Sequence, residues 1–169
     1  MADRSRRDFL VAASAGTAGV LAGVLLPVGS DSPSDQSLDA APAPTAVDVG
    51  FCTDMTAHHV QALAMCQRVL GRDTGDPVQA AASEVLQNQA IEVGMMRAWL
   101  TDWGQSAASP ELSMGWMDVN DGAGMPLAMM PGLASDDEMR GLSQASGRGQ
   151  GRKWVELMRA HHVGGVTPQ

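Results

Sequence analysis

The sequence predicts an all-α fold, a helical bundle with a long Met- and Gly-rich connection. Three observations predict it. Apolar residues recur at helical spacing from about Val47 to Leu70 and again from Val78 to Trp99. Pro and Gly stand where helices start and stop. Ser135-Asp136-Asp137-Glu138 has the pattern of a capping box opening a third helix. A chain of 169 residues has room for one domain with a buried core.

The N-terminus reads as an export signal. Ser5-Arg6-Arg7-Asp8-Phe9-Leu10 precedes the mild apolar run Val11 to Leu26, which Pro27 ends. This arrangement resembles a twin-arginine signal over residues 1–30, and the run is too short and too rich in Ala and Gly for a membrane span. Cleavage would fall after Ser30 or near Ala40. Residues 1–30 carry three Arg and two Asp, a net +1, so their removal takes the formal charge from −8 to −9. Residues 31–46, rich in Ser, Asp, Ala and Pro, have nothing periodic to bury and read as a disordered tether. An acidic domain of this kind lacks the Lys/Arg surface that binding phosphates requires, which excludes nucleic acid as a partner.

The domain is expected over residues 47–165, with 166–169 as a tail. Asp48 favours the N-terminus of the first helix through its charge, and Gly71 is placed to cap its end. Pro77 fits the first turn of a second helix with Asp76 as N-cap. The apolar side of that helix reads Val78, Ala81, Ala82, Val85, Gln89, Glu92, Met96 and Trp99. Gln89 and Glu92 interrupt it, so either the helix is rotated and both are solvated, or Glu92 faces a cation, a histidine or water. Gly104 to Gly132 is an irregular connection holding Met114, Met117, Met125, Met129 and Met130. Those methionines either pack back over the bundle or act as adjustable thioether donors. After the third helix a break is expected at Gly147-Arg148-Gly149-Gln150-Gly151. A short last helix then carries Trp154 to His162 and ends at Gly164-Gly165.

The chemistry lies in a repeat. Met55, Ala57, His58, His59 and Val60 match Met158, Ala160, His161, His162 and Val163 at a constant offset of 103 residues, and all four histidines of the chain belong to the two copies. At 100° per residue Cys52, Met55, His59, Ala62 and Cys66 fall along one side of the first helix. Imidazole, thioether and thiolate favour copper, above all Cu(I), over hard cations. The competing reading is that Met fills a core and His is a buried hydrogen-bonder. Cys52 and Cys66 are about 21 Å apart along one helix, too far for a disulfide, and are intermolecular, buried or metal-bound.

The pattern Asp48, Phe51, Met55, His58, His59, Ala62 resembles the domain of unknown function 305 family. The resemblance continues through Gln89, Glu92, Met96, Trp99-Leu100, Met130-Pro131-Gly132 and Leu142 to Trp154, Met158, His161, His162 and Gly164. It implies an exported ferritin-like bundle with copper binding as its best supported role. Gln89 and Glu92 would then orient His58 or His59 from behind, with Asp48 in the same supporting set. Two departures stand out. Gly151 occupies the place of Asp48 in the second copy, and the further Gln-x-x-Glu-x-x-x-Met helix of the family does not follow the second His-His. The bundle is therefore expected to lack its last helix and to have a second subunit, in a homodimer, covering the groove.

The functional expectation is a non-catalytic extracytoplasmic metal-binding protein whose metal is copper. Its ligands would be His58, His59, His161 and His162, with Met55, Met158 and loop methionines, and with Cys52 and Cys66 as further soft donors. A structural or partner-binding bundle without metal is the alternative. A ferritin-like oxidase is disfavoured because no Glu-x-x-His occurs, and a hydrolase because no Gly-x-Ser-x-Gly occurs.

Overall fold

A computed structural model describes residues 42–166. The export signal at 1–30, residues 31–41 of the tether and residues 167–169 of the tail lie outside the described residues. Four helices make an all-α bundle: α1 (Ala46–Val69), α2 (Asp76–Asp102), α3 (Asp136–Gln144) and α4 (Gly147–Val166).

The start of α1 is a capping box. Thr45 Oγ1 accepts the Asp48 N–H at 3.2 Å while the Asp48 carboxylate accepts the Thr45 N–H at 2.8 Å, a device worth about 1 kcal/mol. At its other end Gly71 takes a φ of 73°. Gln79 then closes the turn, its amide donating to the Val69 carbonyl at 2.8 Å and its Oε1 accepting the Gly71 N–H at 2.9 Å. Gly75 is the N-cap of α2, and Asp76, expected there, is already helical with Pro77 beside it. The two helices run antiparallel: His59 meets Glu92, while Val69 and Ala82 share one apolar cluster and Cys52, Met96 and Leu100 another.

The buried side of α2 is Ala82, Gln89, Val93, Met96 and Leu100. It is turned by about one residue from the expected side, which leaves Trp99 43% exposed. Leu142 of α3 and Trp154, Leu157 and Met158 of α4 close the larger core over Ala62, Met65, Cys66 and Val69 of α1. Full burial of a side chain such as Leu142 contributes about 2 kcal/mol.

The run Gly147–Gly151 does not break the chain: it is the first turn of α4, and the break lies at Ala145 and Ser146. Tertiary contacts override the weak helix propensity of glycine here. Gln150, buried, donates to the Arg68 carbonyl at 3.0 Å and to the Leu142 carbonyl at 3.1 Å. A Cβ on Gly151 would stand 2.7 Å from the Thr74 carbonyl oxygen, so only glycine lets α4 approach the α1–α2 turn this closely. Gly164 and Gly165 likewise do not end α4, which continues to Val166.

The connection between α2 and α3 carries a two-residue antiparallel ribbon, β1 (Leu112–Ser113) with β2 (Met125–Pro126), and two single turns of 3₁₀ helix. It is fastened to α1 at two places. Asp54 accepts the Met114 N–H and the Trp116 indole N–H, both at 2.7 Å. Gln61 exchanges two hydrogen bonds with the Ala134 backbone, at 2.8 and 2.7 Å.

The glycines of α4 give a direct test of this packing. Gly151→Ala should destabilise the protein by about 1–3 kcal/mol through overpacking. At Gly149 the nearest atom to a Cβ is the Arg152 guanidinium at 3.9 Å, so Gly149→Ala should be neutral or stabilise by up to about 1 kcal/mol. Urea unfolding of the two variants measures both.

Candidate metal centre

The two histidine pairs meet where α1 and α4 cross. His58, on α1, is 1% exposed and His161, on α4, is fully buried. Their rings stack with centroids 3.7 Å apart and planes inclined by 29°. His161 Nε2 lies 2.9 Å from the His58 carbonyl oxygen. An oxygen of that kind only accepts, so Nε2 carries the proton and donates, and Nδ1 holds the lone pair.

His59 and His162, one residue on in each copy, turn toward α2. His59 Nε2 is 2.9 Å from a Glu92 carboxylate oxygen. Donation to that carboxylate fixes the same tautomer, leaving the lone pair on Nδ1. Gln89 Nε2 stands 3.3 Å from His162 Nε2. Gln89 is buried, whereas the Glu92 side chain is about half exposed.

A cavity of about 330 Å³ is lined by Met55, all four histidines, Gln89 and Glu92, together with Glu84, Val85, Asn88, Gly165 and Val166. Both ring nitrogens of His58, and Nδ1 of His59 and of His161, are buried and receive no well-formed hydrogen bond from the protein. Gly132, with a φ of 88°, comes over the stacked pair: a Cβ there would stand 2.7 Å from the His161 carbonyl oxygen and 3.0 Å from His58 Nε2.

Burial holds His58, His59 and His161 neutral. It pushes the His58 pKa down to about 3, helped by the neighbouring His161 and His59 rings and opposed by the Pro131 backbone. His161 is pushed down to about 4, again first by burial, with the His58 carbonyl opposing. His59 is lowered by burial, against the pull of Glu92. Two cations could not stack at 3.7 Å without strong repulsion, and neutral imidazole is also the form that ligates metals. Among the described residues, no three His, Cys, Asp or Glu side chains stand close enough together to share an ion.

The remaining expected ligands lie elsewhere. Met158 is part of the larger apolar core, beside Ala62 and Met65. Cys66 is in the same core, where burial pushes its thiol up to about 11. Cys52 belongs to the second cluster with Met96 and Leu100, and burial raises its pKa as well. Both cysteines are free. Asp48 serves the N-cap of α1, about 15 Å along the helix from His58. Sequence reasoning missed Asp54, a 3% exposed carboxylate. Its position on α1 carries no periodic signal, and only the folded connection reveals its partners.

The class defined by fold and site is a helical bundle in which two His-His copies, distant in sequence, share one cavity. The chain belongs to the domain of unknown function 305 (DUF305) family, whose model matches residues 48–168. It is similar to a family member from Streptomyces coelicolor described as secreted, with 35% identity and a TM-score of 0.59. That match covers 69% of this chain and 65% of the other, so the chain spans just under two thirds of that relative's length. It is also similar to a DUF305 fragment from Deinococcus radiodurans, with 29% identity over 73% of this chain and 74% of the other, at a TM-score of 0.58. Comparison with curated proteins gives no match. Among the described residues no helix is long and apolar enough to cross a membrane.

Depressed histidine pKa values make stability depend on pH with a definite sign. Above about pH 6.5 folded and unfolded imidazoles are both neutral. As pH falls from there toward 4 and then 3, the unfolded chain binds protons that the folded one refuses, so stability drains away by up to about 1.4 kcal/mol per pH unit for each group. Urea midpoints of the metal-free protein should fall steadily between about pH 7 and pH 5. The slope should be shallower in His58→Leu; equal slopes would contradict burial of a neutral His58.

Proposed function

We propose that the protein is an exported, non-catalytic metal-binding protein whose cargo is copper. One observation carries the reading. His161 and His59 each have one ring nitrogen held, by a backbone carbonyl and by a carboxylate, which leaves a buried Nδ1 lone pair without a protein partner at the wall of a common cavity. That is how proteins orient an imidazole for a metal: the far nitrogen is hydrogen-bonded, which fixes the tautomer and raises ligand basicity. The thioether of Met55 in the same wall biases the site toward copper over hard cations.

The rings must rotate to act together, since among the described residues no three His, Cys, Asp or Glu side chains stand close enough to share an ion. The cavity and the exposed His162 leave room for that rotation. The likeness to a secreted relative and the Arg-Arg pattern before an apolar run support export.

A second reading has its own support. The 3.7 Å stack of His58 on His161 is also what a purely structural pair of buried neutral histidines would form. A structural or partner-binding bundle of that kind would take up no copper, and its melting temperature would not respond to the ion.

Isothermal titration and native mass spectrometry of the mature protein separate the two. Replacing His58, His59, His161 and His162 by Ala should abolish Cu(II) binding. Glu92→Gln should weaken it roughly tenfold or more by loosening His59. Unchanged affinity in the four-histidine variant would leave only the structural reading.

A further inference from the structure

α2 and α4 each pack on α1 rather than on one another. Between them runs an open groove with α1 at its floor, and the histidine cavity is its middle section. One end is a cavity of about 580 Å³ lined by Val78 of α2 and by Arg148, Gly151, Arg152 and Val155 of α4. The other end is a cavity of about 240 Å³ that shares Met55, Gly165 and Val166 with the histidine cavity. From Arg148 to Val166 the groove is about 27 Å long, the length of a helix of about 18 residues.

Apolar side chains recur along it, and its two walls carry opposite charge. Val78 and Val85 come from α2, Met55 from α1, and Val155 and Val166 from α4; the last two are exposed. The ionisable side chains of the α2 wall are Asp76, Glu84 and Glu92. On α4, Arg148, Arg152 and Arg159 follow one side of the helix beside Val155. Glu92 pairs with His59. Asp76, Glu84 and the three arginines make no ion pair among the described residues.

The charge pattern decides the occupant. A helix lying in the groove needs carboxylates along the flank that meets α4 and Lys or Arg along the flank that meets α2. No exposed helix face of this chain supplies both. On the α2 face that exposes Ile91, Met95 and Trp99, the charges are all acidic, Glu84, Glu92 and Asp102, so the α2 wall of a second copy would repel it. The exposed face of α4 carries three arginines against Glu156 and would be repelled by the α4 wall. With 9 residues, α3 covers only about half of the groove. Like charges brought together in this way select against a partner.

We propose that the groove is a docking site for one amphipathic helix of a different polypeptide. Its apolar residues, at i, i+3 or i+4, and i+7, face the floor, with acids along one flank and bases along the other. Turning such a helix end for end exchanges its flanks, so the two walls also fix the direction in which it lies. The docked helix covers the mouth of the histidine cavity, but the inference takes nothing from metal binding.

The test uses the mature protein and a fluorescein-labelled peptide of about 18 residues, with Leu at those spacings, Glu along one flank and Lys along the other. Fluorescence anisotropy should show one peptide bound per chain, with an affinity that falls as salt is raised from about 0.05 to 0.5 M. In the variant Arg148→Glu, Arg152→Glu, Arg159→Glu, whose changes are all at exposed positions, the affinity should fall roughly tenfold or more. Equal affinity in parent and variant, or no saturable binding to the parent, would overturn the proposal. So would a stable dimer of the parent in light scattering that the peptide leaves intact, since a second copy would then be the occupant. Methyl NMR of the parent needs no variant to fold: the peptide should shift the Val78, Val85, Val155 and Val166 methyls, and unmoved methyls would overturn the assignment to this groove.

Discussion

The hydrogen bond from His161 to the carbonyl of His58 sets the register of the molecule. It joins residues 103 positions apart, the same interval that separates the two copies of the motif. Gln150 reaching the Arg68 carbonyl fixes the same antiparallel alignment of α4 on α1 further down the pair. Equivalent residues therefore meet at the crossing, and this contact brings the four imidazoles of the chain together. A slip of one residue would turn His58 and His161 by about 100° on their helices and dissolve the stack.

The same antiparallel crossing explains why the two methionines of the repeat part company. Met55 and Met158 each precede a His-His pair by one helical turn. Because α1 and α4 run in opposite directions, one turn back leads to opposite ends of the crossing, about 9 Å apart along the helices. Met55 reaches the cavities near Gly165 and Val166. Met158 goes down into the core with Ala62 and Met65. A repeat in sequence fixes what is shared at the crossing point and says nothing about residues displaced from it until the relative direction of the helices is known.

That distinction runs through what could be read from the chain alone. The long helices and the capping box at Ser135 follow from local signals, whereas the pattern alone left Glu92 open between solvent on a rotated helix and a partner, and the structure gives it both, half exposed and 2.9 Å from His59. The helical run Gly147–Gly151 was illegible because its stabilisation is wholly non-local: Gln150 satisfies carbonyls of α1 and α3, and Gly151 admits the α1–α2 turn. Asp54 was illegible for the same reason, since its donors lie 60 and 62 residues away. Cys52 and Cys66 share the helical face with the histidines in projection. Along the axis, however, Cys52 is about 9 Å from His58 and Cys66 about 10.5 Å from His59, far enough for each to fall into an apolar cluster.

The cost of the centre constrains what it is for. A buried polar atom without a partner costs about 1–3 kcal/mol, and Nδ1 of His59 and of His161 receive no hydrogen bond from the protein. That is an appreciable part of the stability of a typical domain, about 5–15 kcal/mol. Apolar side chains at those positions would pack without that cost, as they do one to two turns away at Ala62, Met65 and Met158. The fold keeps His58, His59 and His161 neutral and desolvated, holds two of those rings from behind with Glu92 and a helix carbonyl, and sets a thioether in the wall of their cavity; the neutral ring is the form that the proposed ligation would require.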